Sequence, residues 1–260
     1  MIEMEAVNKA LNLYVRPQTF PLAIRMYQRD EELPRVRFPK RDLGISVTVC
    51  QGIAMARRYG WTIAIGKDDQ SCPHGAVVLG FVPAKGYLDG SFAEAVGLMP
   101  KEKFAKTAQS LSRLEYDKYS YMVAAPLHIA TFEPHLILLY GNPAQVARLV
   151  NGAIAITGDV ITSTTSGGTA CSGLIARTML SDQCQFILTG SGDRYFALTQ
   201  DHELAFTMPL SKVESTIQGL KIGHESGIHR YPTPSFLRFE GQLPTTYYKF
   251  LELLKKGEKD

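Results

Sequence analysis

The sequence predicts an α/β (or α+β) protein: a mixed sheet packed with helices and built from two diverged pseudo-repeats. Three observations lead there. Short β-branched or apolar runs alternate with stretches of helical periodicity, the pattern of a mixed or parallel sheet covered by helices. Gly and Pro punctuate these elements without gathering into a linker. A cysteine-bearing helix start occurs twice, as Cys50-Gln51-Gly52-Ile53 and as Cys171-Ser172-Gly173-Leu174. The expected organisation is one domain over residues 1–260, with halves at 20–132 and 133–222 and a C-terminal extension, 223–260.

The first half opens with a helix over Met4 to Leu13 and an apolar strand over Pro21 to Met26. A polar loop, Gln28 to Arg41, leads to the β-branched stretch Ile45 to Val49 and a helix from Gln51 to Arg58 that Gly60 stops. Trp61 to Ile65 alternates like a strand, and the polar turn Gly66 to Gln70 follows. Lys101 to Leu114 has helical spacing, while Met122 to Ala125 and His128 to Phe132 read as strands.

The second half begins with the buried-strand run Leu136 to Tyr140. Asn142 and Pro143 form an N-cap and first helical residue. Val160 to Thr165 is β-branched and reads as a strand. Thr169 caps a helix over Ala170 to Leu180, strands follow at Phe186 to Leu188 and Leu204 to Met208, and Ser211 caps a helix through Leu220.

Bulk properties narrow the function classes. The chain has 260 residues, 45% hydrophobic and 20% charged, enough to bury a sizeable core without disulfides. A net charge of +3, with Lys and Arg scattered among Asp and Glu, provides no face for nucleic acid. The start, Met1-Ile2-Glu3-Met4-Glu5, lacks a secretory pattern, and no apolar run is long enough for a bilayer. The expectation is a cytoplasmic protein whose four cysteines stay reduced.

Those cysteines form a pattern of Cys, helix, Cys in each half: Cys50 with Cys72, then Cys171 with Cys184. A thiol in the first turn of a helix meets unpaired N–H groups and the positive end of the dipole, which favour thiolate, the metal-binding form. Gly52 and Gly173 clear space beside the sulfurs. Four sulfurs from two half-sites suit an iron–sulfur cluster, expected as [4Fe-4S], with zinc as the second candidate. The spacings lack the Cys-x-x-Cys knuckles of structural zinc, and Cys72-Pro73 resembles the Cys-Pro step of ferredoxins. Against this stands the tendency of free cysteines to act as small buried hydrophobes.

Several segments resemble the family catalogued as domain of unknown function 169. They include Ser46-Val47-Thr48-Val49-Cys50-Gln51, Ala56-Arg57-Arg58-Tyr59-Gly60, Cys72-Pro73 with Leu79-Gly80-Phe81, and Asn142-Pro143-Ala144-Gln145-Val146-Ala147-Arg148-Leu149. Cys171 to Leu188, Gly192-Asp193-Arg194, Glu203-Leu204-Ala205-Phe206 and Met208-Pro209 extend the resemblance, which runs from about Ala23 to Leu220. It implies a protein of archaea or anaerobic bacteria, with no activity attached and with all four cysteines inside the matching segments.

Other candidates are less specific. Ser166-Gly167-Gly168-Thr169 precedes a helix, and Gly167 and Gly168 are placed to offer backbone contacts to a cofactor. The segment lacks the lysine of a P-loop and the third glycine of a dinucleotide fingerprint. Gly190-Ser191-Gly192-Asp193-Arg194 is a second glycine-rich turn. His74, His224 and His229 are scattered, the latter two in a loop running to Tyr231. No His-x-x-x-His helix and no Gly-x-Ser-x-Gly elbow occurs.

The leading expectation is a redox or electron-transfer protein with a cluster on Cys50, Cys72, Cys171 and Cys184, served by a redox partner protein. The alternative is a small-molecule-binding module or non-redox enzyme with unligated buried cysteines and a pocket near Gly167-Gly168. A third reading makes the amphipathic Pro244 to Leu254 helix a docking element, for a partner or for a homo-oligomer.

Overall fold

The computed structural model describes residues 3–227, 229–230 and 243–257. Helix α1 (Met4–Tyr14) leads to strand β1 (Leu22–Tyr27). The short α2 (Pro39–Leu43) and then α3 (Val49–Tyr59) precede β2 (Ile63–Gly66). Thr48 begins α3 with a reciprocal capping box to Gln51, and Gly60 ends it at φ 74°, a left-handed conformation that glycine adopts without a Cβ clash. Four helices follow: α4 (Pro73–Val78), α5 (Lys85–Leu88), α6 (Ser91–Ala95) and α7 (Lys101–Ser110). Strands β3 (Tyr121–Pro126) and β4 (Leu136–Gly141) come next, then α8 (Pro143–Thr157), capped by Asn142 and Gln145 as its sequence predicts. A π-helical segment, Ser172–Arg177, passes directly into α9 (Thr178–Ser181). Strand β5 (Gln185–Leu188), α10 (Ser191–Ala197), β6 (Leu204–Pro209) and α11 (Leu210–Glu225) complete the packed body, and α12 (Thr245–Gly257) has no buried residue.

The six strands form one sheet in the order β2-β3-β1-β4-β6-β5. All pairings between these strands are antiparallel, which corrects the expected mixed or parallel sheet. The reason lies in which strands become neighbours. β1 and β2 are both antiparallel to β3, so the connection through α3 does join like-directed strands, but β3 is inserted between them. β4 and β5 stand in the same relation, with β6 inserted. Each is a split crossover, where helix–strand alternation predicts strand direction but not adjacency.

Side chains alternate across the sheet, and both faces are covered. Leu22, Ile24, Ile65, Met122, Leu138 and Ile187 meet Val49, Ile53 and Ala56 of α3 and Leu174 and Ile175 of the π-helical segment. On the opposite face Ala23, Ile137, Leu139 and Phe206 meet Val7 and Leu11 of α1, Val146 and Leu149 of α8, and Val213 and Leu220 of α11. A satellite core of Val77, Tyr87, Ala93, Phe104 and Ala108 holds α4 to α7 together beside the first face.

Two expected strands do not form. Val160 to Thr165 runs without regular structure: the Ser163 hydroxyl accepts from the Phe186 N–H at 3.0 Å and donates to Gln185, so a side chain rather than a backbone ladder covers this part of β5. His128 to Phe132 contains a 3₁₀ turn, Leu127–Ile129, because the chain bends after Pro126. Helix α7 stops at Ser110, short of the expected Leu114. Of the expected histidine loop, His224 lies in α11, His229 packs on Gly223, and Tyr231 falls outside the described residues.

Candidate functional site

On the α3 face of the sheet lies a cavity of about 610 Å³. Its walls come from the first turn of α3 (Val49, Cys50, Ile53), from Cys72, His74 and Gly75 around the start of α4, and from Tyr87, Phe104 and Ala108 in the satellite core. The Ser166 to Cys171 loop with Leu174, and Ser191, Gly192 and Asp193 of α10, close the other side. Leu98, Met99, Tyr195 and Phe196 also line it and remain exposed, so its rim is apolar; Tyr195 is 81% exposed. Among the described residues that line it, none is Lys or Arg.

Three of the four cysteines line this cavity, and Cys184 does not. Cys184 is buried on the opposite face of the sheet, among residues of the α1, α8 and α11 core. The separation follows from chain order: Cys72 comes after the end of β2, whereas Cys184 comes before the start of β5. Among the described residues no group of three or more His, Cys, Asp or Glu side chains is arranged to hold a metal ion. The expected site on Cys50, Cys72, Cys171 and Cys184 is therefore corrected. These residues fit neither a [4Fe-4S] cluster nor zinc, and the electron-transfer role and redox partner inferred from a cluster go with it.

At Cys50, Cys171 and Cys184 the expected thiolate character is reversed as well. The Cys50 sulfur lies 2.9 Å from the Thr48 hydroxyl and donates to the Gly192 carbonyl at 3.6 Å. Burial, reinforced by the nearby Asp193 carboxyl, pushes the Cys50 thiol up to about 12, against the favourable Thr48 contact. Burial drives Cys171 upward too, with Cys72, Asp193 and Cys50 adding to it. Cys184 is raised to about 11, again by burial. Desolvation of the charged form outweighs the helix N-terminus, because the dipole contributes a fraction of what a buried charge loses. At pH 8 this lowers the Cys50 thiolate fraction about a thousandfold relative to an ordinary thiol. Iodoacetamide labelling followed by peptide mass spectrometry is expected to modify Cys50 at least a hundredfold more slowly in the native than in the denatured protein; equal rates would contradict a protonated, buried thiol.

Further hydrogen-bonding groups complete the site. His74 Nδ1 is 2.8 Å from the Tyr87 hydroxyl, and both rings pack on Phe104. Burial lowers the His74 pKa and raises that of Tyr87 to about 12, while a hydrogen bond with Thr169 works the other way on the tyrosine. Asp193 is 5% exposed. Its Oδ2 accepts from the Gly190 N–H at 3.2 Å, and its Oδ1 accepts from the Tyr140 hydroxyl at 3.2 Å. Burial raises its pKa, opposed by these two bonds and by Arg57.

Behind Asp193 lies a charged pair. Arg57 stacks on the Tyr140 ring at 4.0 Å and donates to both oxygens of Glu203, at 2.6 and 3.2 Å. The chain Glu203–Arg57–Tyr140–Asp193 thus ties the residue before β6 to α3, β4 and α10 just behind the cavity wall.

The glycine loop borders the cavity. Gly167 has φ 72°, and a Cβ at Gly167 or Gly168 would meet nothing within 4 Å. The Ser166 hydroxyl accepts from the Thr169 N–H at 3.0 Å, and the Gly167 carbonyl accepts from the Ser191 N–H at 3.0 Å, which locks the loop to α10. Sequence reasoning missed Tyr87 and the aromatic rim of Tyr195 and Phe196. The signal for the rim was the adjacent pair of aromatics directly after the Gly192-Asp193-Arg194 turn.

Fold and site together define an α/β protein with an antiparallel six-stranded sheet and a helix-walled apolar pocket edged by three cysteines. A sequence model of the family described as domain of unknown function 169, an uncharacterised ArCR family, matches residues 10–219, and the chain belongs to that family. No curated protein and no solved structure matches the chain. No helix among the described residues is long and apolar enough to cross a membrane.

Proposed function

We propose that this protein binds an uncharged, largely apolar small molecule in the cavity beside Gly167 and Gly168. One observation carries the reading: about 610 Å³ of space, walled mainly by apolar side chains, with no Lys or Arg among the described lining residues. That volume and character match small-molecule sites, where a few polar groups orient an otherwise apolar ligand. Thr169, Ser191 and the His74–Tyr87 pair supply those groups here. An anionic ligand would find no counter-charge, and it would meet the Asp193 carboxyl. Cys50, Cys72 and Cys171 act in this reading as small, polarisable wall residues.

The test uses Gly168, where a side chain projects into open space and no positive φ demands glycine. Gly168→Leu is expected to leave the melting temperature unchanged and to weaken binding of the neutral dye Nile red at least tenfold. Fluorescence titration measures this. Absence of saturable dye binding in the unaltered protein, or full binding in the variant, would overturn the reading.

We also read the chain as a single domain built from two diverged halves, 20–132 and 133–222, followed by the extension 223–260. Supporting this, each half contributes a split crossover, and β1 and β4 pair at the centre of the sheet. A Cβ on Gly52 of α3 would collide with Ile65 Cδ1 of β2, and one on Gly173 would collide with Ile187 Cδ1 of β5. After each of these strands a glycine N–H is capped by an aspartate three residues on, Gly66 by Asp69 and Gly190 by Asp193. In this alignment Asp193, rather than Cys184, stands near the place that the first half gives to the Cys72 region. The pocket then lies on the seam, where Cys50 of one half reaches Gly192 of the other.

A further inference from the structure

We propose that a second cavity, on the far side of the π-helical segment, binds a phosphate group, carried as the free ion or as a small monoester. This site is independent of the apolar pocket and has the opposite chemistry. It has a volume of about 370 Å³ and lies where α8 ends, α9 ends and α11 begins. Arg177 and Lys212 line it, with hydroxyls from Thr157, Thr162 and Ser181.

The two cations lack counter-charges. Among the described residues neither Arg177 nor Lys212 forms an ion pair. The Nε of Arg177 is buried and has no hydrogen-bond partner among them. A buried guanidinium donor without an acceptor is costly, and native proteins rarely leave one so. The acid in the lining, Asp159, is exposed, and the neighbouring Asp182 is engaged by the Ser211 hydroxyl at 2.7 Å.

A phosphate answers each of these conditions. The guanidinium fork matches two of its oxygens, the lysine ammonium supplies a point charge, and the Thr157 and Thr162 hydroxyls can donate to the remainder, while the Ser181 hydroxyl already donates to the Arg177 carbonyl. Lys212 also sits in the first turn of the 16-residue α11, where the helix dipole favours negative charge. The cavity volume is at the small end of the range for ligand sites, which suits a phosphate with a short organic part.

Isothermal titration at constant ionic strength tests the site, using inorganic phosphate, glycerol 3-phosphate and chloride as titrants. Saturable heat is expected from phosphate or its monoester and none from chloride; tighter binding of glycerol 3-phosphate identifies the monoester as the source, and equal binding the free ion. Arg177→Gln is expected to weaken phosphate binding at least tenfold, Lys212→Gln by a smaller factor, and Arg177→Lys to restore only part of the loss. Nile red binding in the other cavity reports that each variant is folded. No saturable phosphate binding by the unaltered protein, or unchanged affinity in a folded Arg177→Gln variant, would overturn the assignment.

Discussion

Glu203→Ala is expected to lower the unfolding free energy by about 3–5 kcal/mol, the usual loss when one member of a buried ion pair is removed. Arg57 is 1% exposed, so the variant leaves a guanidinium in the core hydrogen-bonded to Thr19 and Thr199 and stacked on the Tyr140 ring, without its paired carboxylate. Glu203 also accepts from Arg58 and from the Gln200 N–H, and the same substitution removes both of these hydrogen bonds. Urea unfolding measures the change. The double variant Arg57→Met/Glu203→Ala is expected to recover much of the loss, because a paired charge replaced by apolar bulk no longer leaves an orphan. A single-variant loss below about 1 kcal/mol would show that solvent reaches Arg57. The acid limb has a definite sign. Although burial opposes the charge, Arg57 and the Gln200 N–H hold Glu203 below its ordinary carboxylate range. The pair's contribution is therefore complete above that range and disappears as pH falls through the folded value.

Gly219→Ala is the second large effect, and two physical terms give it opposite signs. Helix propensity alone favours alanine by about 1 kcal/mol. The crossing of α8 and α11 opposes it: a Cβ at Gly219 would overlap the Gly152 carbonyl oxygen and lie 3.0 Å from Ala155 Cβ. Gly152 faces the same crossing, where an added Cβ would fall 2.7 Å from Leu220 Cγ. Backbone cannot yield as a flexible side chain does, so the helices must separate and open the core they share with β4 and β6. Overpacking of this kind costs about 1–3 kcal/mol, sometimes more. The expected net result is a loss of about 2 kcal/mol, read as a lowered thermal midpoint; a raised midpoint would mean that the two helices slide apart freely.

Much of the fold was legible where local chemistry decides the outcome. Asn142-Pro143 opens α8, Gly60 closes α3, and the run Leu136 to Tyr140 is a central strand. Legibility failed where the deciding partner is distant. Val160 to Thr165 has strand composition, but side-chain bonds from Ser163 occupy the position beside β5. Helix and strand alternate between β1 and β2 as the sequence suggests, yet nothing local announces that β3 enters between them and makes every pairing antiparallel.

The candidate site divides in the same way. Cys50, Cys72 and Cys171 do come to one cavity, and Gly167 and Gly168 do border it. The chemistry of Cys50 and Cys171 was misjudged because burial dominates the titration of both thiols, and burial is a property of the assembled walls rather than of a helix start. Arg57 carried a readable signal. It continues the stripe of Val49, Ile53 and Ala56 on the buried face of α3, and a cation there requires an anion from elsewhere in the chain.

The π-helical segment bears on both cavities at once. Cys171, immediately before it, faces the apolar pocket, and Arg177, its last residue, faces the polar one. The Thr178 hydroxyl donates to the Gly173 carbonyl, five residues back, and holds the widened turn from within. A helix of regular pitch would change the angular phase between those two residues, since each residue added or removed turns one end by about 100° relative to the other. The length of this stretch therefore acts as a register: a one-residue deletion would leave every lining side chain in the sequence and still point Arg177 away from its cavity.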